Sequence, residues 1–366
     1  MKLQIETSKL QEMVAKAAHC VSNNKLIPIT SLIELRVTGA GEFLLTTTDG
    51  TNSFYVRFPE KVDCEPFELS VFADLFIKLV QKITSKEITI TTEGNILIVE
   101  GNGKYKLELP LDLGKVITFP TKFDADVLEM PIYDEIDLKA IDDIIASNKA
   151  SLATDMQYPV LTGYYFGENV VTSNRKTVCW LKKAMLQNPT VLQPVILDLL
   201  SVCTGDTAYV YYMPENKSFL IRCDNELIFA PEFSADTPFP VGAIEKLIEQ
   251  DFKSTCVLSR KDLLNILDRM SLFVTAYDKK AIDLTFTENG LIVSSKKSSG
   301  TELVPYKTVD GFAPFTCSIN IEYLQAHLSA KDSEDVELSF GADKAIKLVT
   351  GDFIQIVALL ENAEVK

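Results

Sequence analysis

The sequence predicts an α+β protein built from three tandem units, each an antiparallel sheet carrying two helices on one face. Three observations predict it. A three-stranded meander occurs three times, at residues 87–110, 208–231 and 335–360, with β-branched and aromatic residues alternating between turns that carry Gly or Asn. A helix with an apolar stripe precedes each meander. Landmarks also recur: Pro110 and Pro231 lie 121 residues apart, and Phe119-Pro120 and Phe239-Pro240 lie 120 apart. A period of a whole domain marks duplication rather than a solenoid.

Each unit opens with a strand and an amphipathic helix, expected over 8–21, 138–149 and 259–271, with Ser8 and Ser259 at N-cap positions. Strands follow at 32–37 and 43–47 around Gly39-Ala40-Gly41, and at 281–287 and 291–295 around Asn289-Gly290, a strong hairpin signal. The second helix of each unit buries Phe72, Leu75, Phe76, Leu79, Val80 and Ile83, then Val191, Leu192, Val195, Ile196, Leu199 and Leu200, then Ile321, Leu324 and Leu328. The Phe-Pro segments read as linkers, so the expected domains are 1–122, 123–250 and 251–366.

Hydrophobic residues are 46% of the 366 and charged residues 24%, which excludes wholesale disorder. The opening MKLQIETSKL lacks a signal-peptide core, and Asp198 interrupts the apolar stretch 194–200, so a soluble, cytoplasmic protein off the membrane is expected. Seven cysteines stand singly without a CxxC pair, which points to buried reduced thiols rather than zinc or disulfides.

The net charge is −15, so the molecule as a whole repels nucleic acid unless its cations are segregated. They are: the six expected helices hold 11 Lys and Arg against 8 Asp and Glu, and strands and loops hold 25 against 43. Lys78, Lys82 and Lys86 fall at i, i+4 and i+8, opposite the apolar stripe of their helix. One reading is an ordinary solvated face. The other is that Lys9, Lys16, Lys25, Lys139, Lys149, Arg260, Lys261, Arg269 and Lys331 join the stripe in one surface that tracks phosphates without reading bases. The helix over 190–203 carries no Lys or Arg and does not fit that pattern.

Catalytic chemistry is missing. His19 and His327 lie on expected helices without a metal-ligand spacing, and no phosphate-binding, nucleophile-elbow or calcium-loop motif occurs. Asp142 and Asp143 are adjacent on a helix and point apart, and Asp124 and Asp126 sit in a linker. No enzyme, metal site or cofactor is expected.

Three tandem α+β units, basic residues favouring the helices and an acidic total charge resemble the bacterial DNA polymerase processivity clamp, the β sliding clamp family. The resemblance runs end to end through MKLQIETSKL, Leu26-Ile27-Pro28-Ile29, Thr48-Asp49, Val160-Leu161-Thr162-Gly163, Phe239-Pro240 and Asn320-Ile321-Glu322-Tyr323. It implies DNA-clamp domains in a head-to-tail homodimeric ring, sheets outside and helices lining the hole. Such a ring encircles duplex DNA without sequence preference, tethers the replicative polymerase and depends on a separate loader. For ring closure it implies residues 104–109 with Phe76, Tyr105 and Leu107 on one side, and Leu272, Phe273 and the strand near Leu303 on the other. Leu272 and Phe273 also read as core. It further implies a pocket for short partner peptides of the polymerase and loader, which usually carry Gln and then Leu and Phe. Leu161, Thr172, Arg175, Val178, Pro240, Asn320, Tyr323, Ile356, Ala358 and Leu360 would line it.

Three departures stand out. Ser173-Asn174-Arg175-Lys176-Thr177 replaces the family's usual Asp-Gly-His-Arg-Leu, and the chain continues past Ala358 to Lys366 instead of ending in a Met-Pro-Met-Arg-Leu type. Ala73 and Asp74 stand where the family often has basic residues. The altered pocket implies a changed partner set, as in a clamp of a divergent or mobile-element replication system. The competing functional expectation is an acidic protein of the same fold that binds replication partners without encircling DNA. A metal-dependent nuclease lacks a ligand set.

Overall fold

The computed structural model describes residues 1–120, 122–123, 125–295 and 300–360. Asp124, read above as a linker residue, and the terminal residues 361–366 lie outside the described residues. Seven α-helices occur among the described residues: α1 (Thr7–Ala17), α2 (Ala73–Lys82), α3 (Ile141–Asn148), α4 (Pro194–Leu200), α5 (Val241–Ile248), α6 (Arg260–Met270) and α7 (Ile321–Ala330). The chain forms two compact units, one of residues 1–141 with 194–232, the other of residues 142–193 with 233 onward.

In the first unit, Lys2–Glu6 pairs with the meander Glu87–Glu93, Ile96–Glu100 and Lys104–Glu108 in a four-stranded antiparallel sheet. The opening strand alternates exposed and buried residues, as a strand with one wet face must. An eight-stranded sheet runs Asp134–Asp137, Thr207–Met213, Ser218–Arg222, Glu226–Pro231, Ser53–Arg57, Phe43–Thr48, Leu32–Val37, Phe67–Phe72. Its centre joins the first and second sequence repeats, with Ile228 opposite Phe54. Helix α1 buries Leu10, Met13, Val14 and Ala17 against α2, which buries Phe76, Ile77 and Val80.

The second unit repeats the plan. A nine-stranded sheet runs Thr190–Leu192, Tyr164–Phe166, Val170–Ser173, Thr177–Leu181, Phe353–Ala358, Ala345–Thr350, Asp335–Phe340, Ser254–Ser259, Thr308–Asp310. Here the second and third repeats join, with Cys179 opposite Gln355. A four-stranded sheet runs Thr301–Val304, Gly290–Ser295, Ala281–Thr287, Phe315–Asn320. Its core holds Leu263, Leu267, Leu324 and Leu328 of α6 and α7, with Phe286 and Phe340 stacked at 3.8 Å.

The repeats match in detail. The Thr47 hydroxyl donates to the carbonyl of Ala17 at the end of α1, and the Thr172 hydroxyl donates to that of Asn148 at the end of α3. Ser259 caps α6 as expected, its hydroxyl accepting from the Asp262 N–H. Ser8 does not cap α1, because the helix begins one residue earlier and the Ser8 hydroxyl turns to the Glu6 carboxylate.

Two helices differ from expectation. Val191 and Leu192 lie in a strand, and α4 starts only at Pro194, where proline suits a first turn. Phe239-Pro240, read as a bare linker, opens α5, whose Ile244 is buried. Five cysteines are buried, while Cys64 and Cys203 are partly exposed, and all seven are free thiols. Burial pushes the Cys20, Cys179, Cys256 and Cys317 thiols up to about 12, so they stay protonated and unreactive.

Candidate functional site

An apolar hollow with a volume of about 650 Å³ lies in the second unit. Its floor forms where Thr177–Leu181 pairs with Phe353–Ala358, which places Val178 opposite Ile356. The register is held at the rim, where the Ala358 N–H donates to the Lys176 carbonyl at 2.9 Å. Leu161 arrives from the turn Pro159–Thr162, and Pro240, Ala243, Ile244 and Leu247 come from α5 and its entry. Phe239, stacked on Tyr165 at 5.0 Å, fixes that entry.

Of the ten residues expected in this pocket, Leu161, Arg175, Val178, Pro240, Ile356 and Ala358 line it. Tyr323 instead lines a second hollow of about 630 Å³, which shares Leu161, Arg175 and Lys176 with the first. The Arg175 guanidinium lies 4.3 Å over the Tyr158 ring, and its backbone takes φ +70°, a conformation uncommon outside Gly, Asn and Asp. Three expectations are corrected. Thr172 is fully buried by its bond to Asn148, Asn320 caps α7 by accepting from the Glu322 N–H, and Leu360 donates its N–H to Ser318. None of the three lines either hollow. The sequence reading missed α5, Gln250, Lys253, the loop 341–344 and Ala345. Val241, Ile244 and Ile248 at helical spacing after Pro240 were the available signal.

The cations divide into three groups. Lys25, Lys82, Lys86 and Lys149 are exposed, although Lys86 lies beyond the end of α2. Lys9, Lys78, Lys139 and Arg269 are surface partners of Glu60, Asp74, Asp206 and Glu302. The expectation of phosphate contact is corrected for Lys16, Arg260 and Lys331, whose charges are used internally. The Lys16 ammonium meets Glu226 at 2.9 Å, and Lys331 meets Asp143 at 2.6 Å. The Arg260 guanidinium donates to the carbonyls of Leu328 and Ser333 and to Asp332.

Two sheet edges carry the residues expected to close a ring. In the first unit Lys104–Glu108 is an edge strand with Tyr105 exposed, whereas Leu107 is buried. Phe76 is fully buried between α2 and its sheet, so it is core rather than interface, while Phe72 and Leu75 are exposed. In the second unit Thr301–Val304 is an edge strand with Leu303 half exposed. Leu272 is 80% exposed and Phe273 46%, which removes the reading of this pair as core.

Among the described residues, no three His, Cys, Asp or Glu side chains gather where a metal ion could be held. His327 is buried against Phe353 and bonded to Thr350, and burial lowers its pKa to about 3. No helix among the described residues is long and apolar enough to cross a membrane.

Comparison with known proteins fits this architecture. Residues 1–114 match the family described as DNA polymerase III beta subunit, N-terminal domain. The beta sliding clamp of Bacillus subtilis is 23% identical over an alignment of 384 positions covering 98% of each chain. That of Staphylococcus epidermidis is 22% identical over 343, covering 87% of each. The chain is similar to the β sliding clamps over most of its length. Solved structures share the clamp fold: the DNA polymerase III beta subunit of Thermotoga maritima superposes with a TM-score of 0.85 at 17% identity, covering 99% of this chain and all of that one. The beta subunit from Streptococcus pyogenes gives 0.84 at 20% identity, covering 98% of this chain and all of that one.

Proposed function

We propose that the chain is a DNA sliding clamp: two copies join head to tail into a ring that encircles duplex DNA and tethers the replicative polymerase. It has no catalysis or cofactor of its own, works in the cytoplasm, and depends on a separate loader. Its domains are 1–122, 123–250 and 251–366. The observation that carries this reading is the pair of open edges. Within the chain, the last meander strand of the second repeat joins Ser53–Arg57 of the first, and the last meander strand of the third joins Thr177–Leu181 of the second. The remaining members of this series are Lys104–Glu108 and Thr301–Val304, each an edge of its own sheet.

Unpaired edges demand cover, and a heterologous contact that closes after two copies supplies it to both. Matching the ladders repeat by repeat carries Ile228 opposite Phe54, and Gln355 opposite Cys179, onto Tyr105 opposite Gly300 of the second copy. Leu272, Phe273 and Leu303 on one side, with Phe72, Leu75 and Tyr105 on the other, would then be buried. The exposed Lys25, Lys82 and Lys149 would hold the duplex backbone by weak, salt-sensitive contacts that permit sliding.

The pocket over Leu161, Val178 and Ile356 would receive the short apolar peptides of polymerase and loader. The test is a Tyr105→Cys, Gly300→Cys double variant. Mild oxidation should convert it into covalent dimers, while a control moved two residues along, Tyr105→Cys with Glu302→Cys, should not. Equal yields from both, or monomers only, would sink the register and the closure it serves.

A further inference from the structure

The pocket lining carries chemistry that an apolar peptide leaves unused. Gln250 lines the cavity just beyond α5, and its amide nitrogen is buried without a hydrogen-bond partner. A buried N–H donor left unpaired costs on the order of 1–3 kcal/mol, so an acceptor met by a turn of the partly exposed Gln250 side chain into the cavity recovers stabilisation that the empty pocket lacks. Lys253 and Lys344 line the same cavity.

Both lysines are fixed at their bases. A Cβ on Gly341 (φ +90°) would lie 3.1 Å from the Lys253 Cβ, so this glycine lets the 341–344 loop lie directly against Lys253. The Lys344 carbonyl accepts the Leu359 N–H at 2.9 Å, which ties that loop to the last strand. Around the whole cavity Arg175, Lys176, Lys253 and Lys344 face two carboxylates, Asp251 and Asp343. Among the described residues none of these six charges is in an ion pair, although Lys9, Lys16, Lys78, Lys104, Lys139 and Lys331 elsewhere all are. In a chain of net charge −15, a cavity with surplus cations and an unpaired donor is complementary to an anion.

We propose that Gln250, Lys253 and Lys344 form a specificity subsite that selects partner peptides carrying an acidic side chain beside their apolar anchors. The apolar floor takes the anchors. The carboxylate accepts from the Gln250 amide and is held by the two ammonium groups. This rests on the reading of the cavity as the partner-peptide pocket. A glutamine in the same peptide position would keep an acceptor for Gln250 and lose the charge, while a lysine would meet two like charges.

The test uses the full chain and fluorescein-labelled twelve-residue peptides built on a core of Gln followed by Leu and Phe, with Glu, Gln or Lys placed at each flanking position in turn. At one position Glu should bind about tenfold more tightly than Gln, the usual scale for a charge-assisted hydrogen bond, with Lys weaker still. Gln250→Glu and Lys344→Gln should each shrink that preference. A Gln250→Glu, Lys344→Glu double variant should favour the Lys peptide, with thermal unfolding unchanged. Equal affinity for Glu and Gln peptides at every position, with binding still abolished by Leu161→Glu, would overturn the acidic preference and leave the peptide pocket standing. Failure of every peptide to bind would overturn the pocket and the subsite together.

Discussion

Replacing Lys16 by methionine isolates the ion pair that ties α1 to the strand Glu226–Pro231. The Glu226 side chain is fully buried and accepts three hydrogen bonds: from Lys16 Nζ at 2.9 Å, the Thr204 N–H at 2.8 Å and the Thr204 hydroxyl at 2.7 Å. Removing one partner of a buried pair costs roughly 3–5 kcal/mol, because the remaining charge stays desolvated. Two donors survive here, and the Lys16 side chain is 15% exposed, so the cost should fall to about 2–3 kcal/mol. Glu226→Gln should cost less, because Lys16 keeps Glu12 at 2.8 Å. Hydrogen exchange across Ser53–Arg57 and Glu226–Pro231 reads the effect locally. Protection there should drop roughly 30- to 150-fold in Lys16→Met, at a tenfold change per 1.36 kcal/mol, and hardly at all in Lys25→Met. A drop below threefold, or the same drop in both variants, would refute the reasoning. Burial lowers the Lys16 pKa, but the hydrogen bonds it donates to Glu12 and Glu226, together with their charges, raise it by more, for a net upward shift. That contribution is therefore present at neutral pH and lost only as pH climbs past the ordinary lysine value.

Two buried groups should give opposite pH slopes. Burial is the largest influence on Glu34, raising its pKa to about 7 against the bond from the Phe119 N–H. The folded state therefore binds the extra proton, and this group's contribution declines as pH rises from about 4.5 to 7. Glu34→Gln should flatten that slope in hydrogen exchange of Leu32–Val37. His327, lowered to about 3, contributes stability above its ordinary value of 6.5, and that contribution is lost as pH falls towards 3. His327→Gln should flatten the acid limb for α7 and Phe353–Ala358. Replacing Lys25, Lys82 and Lys149 together by Glu should lower the slope of log K against log salt for a 30-base-pair duplex by about three, with unfolding unchanged. Fluorescence anisotropy checks this, and an unaltered slope would favour the non-encircling reading.

Two hairpins were legible because their punctuation is local: Gly39-Ala40-Gly41 turns the chain from Leu32–Val37 into Phe43–Thr48, and Asn289-Gly290 turns it from Ala281–Thr287 into the strand that Gly290 begins. The boundaries of α4 and the existence of α5 were less so. Val191 and Leu192 continue a helical stripe in sequence but pair with Tyr165 and Tyr164 as a strand, a choice made by the sheet rather than by their own spacing. Around the site, the apolar floor could be placed by resemblance, whereas Gln250, Lys253 and Lys344 come from segments with no motif. Charge was the least legible property. Lys16 looks like any exposed helix lysine until the fold brings Glu226 to it from 210 residues away, and Asp143 reaches Lys331 from 188. Pairings of that range follow from topology and leave no trace in local pattern.

Light scattering of the purified chain at micromolar concentration, with negative-stain images of the same sample, tests the central claim most directly. The account predicts a mass twice the 40.7 kDa of one chain and closed rings with a hole wide enough for a duplex. A compact particle of single-chain mass, persisting as concentration rises and unaffected by Leu272→Glu, would contradict it.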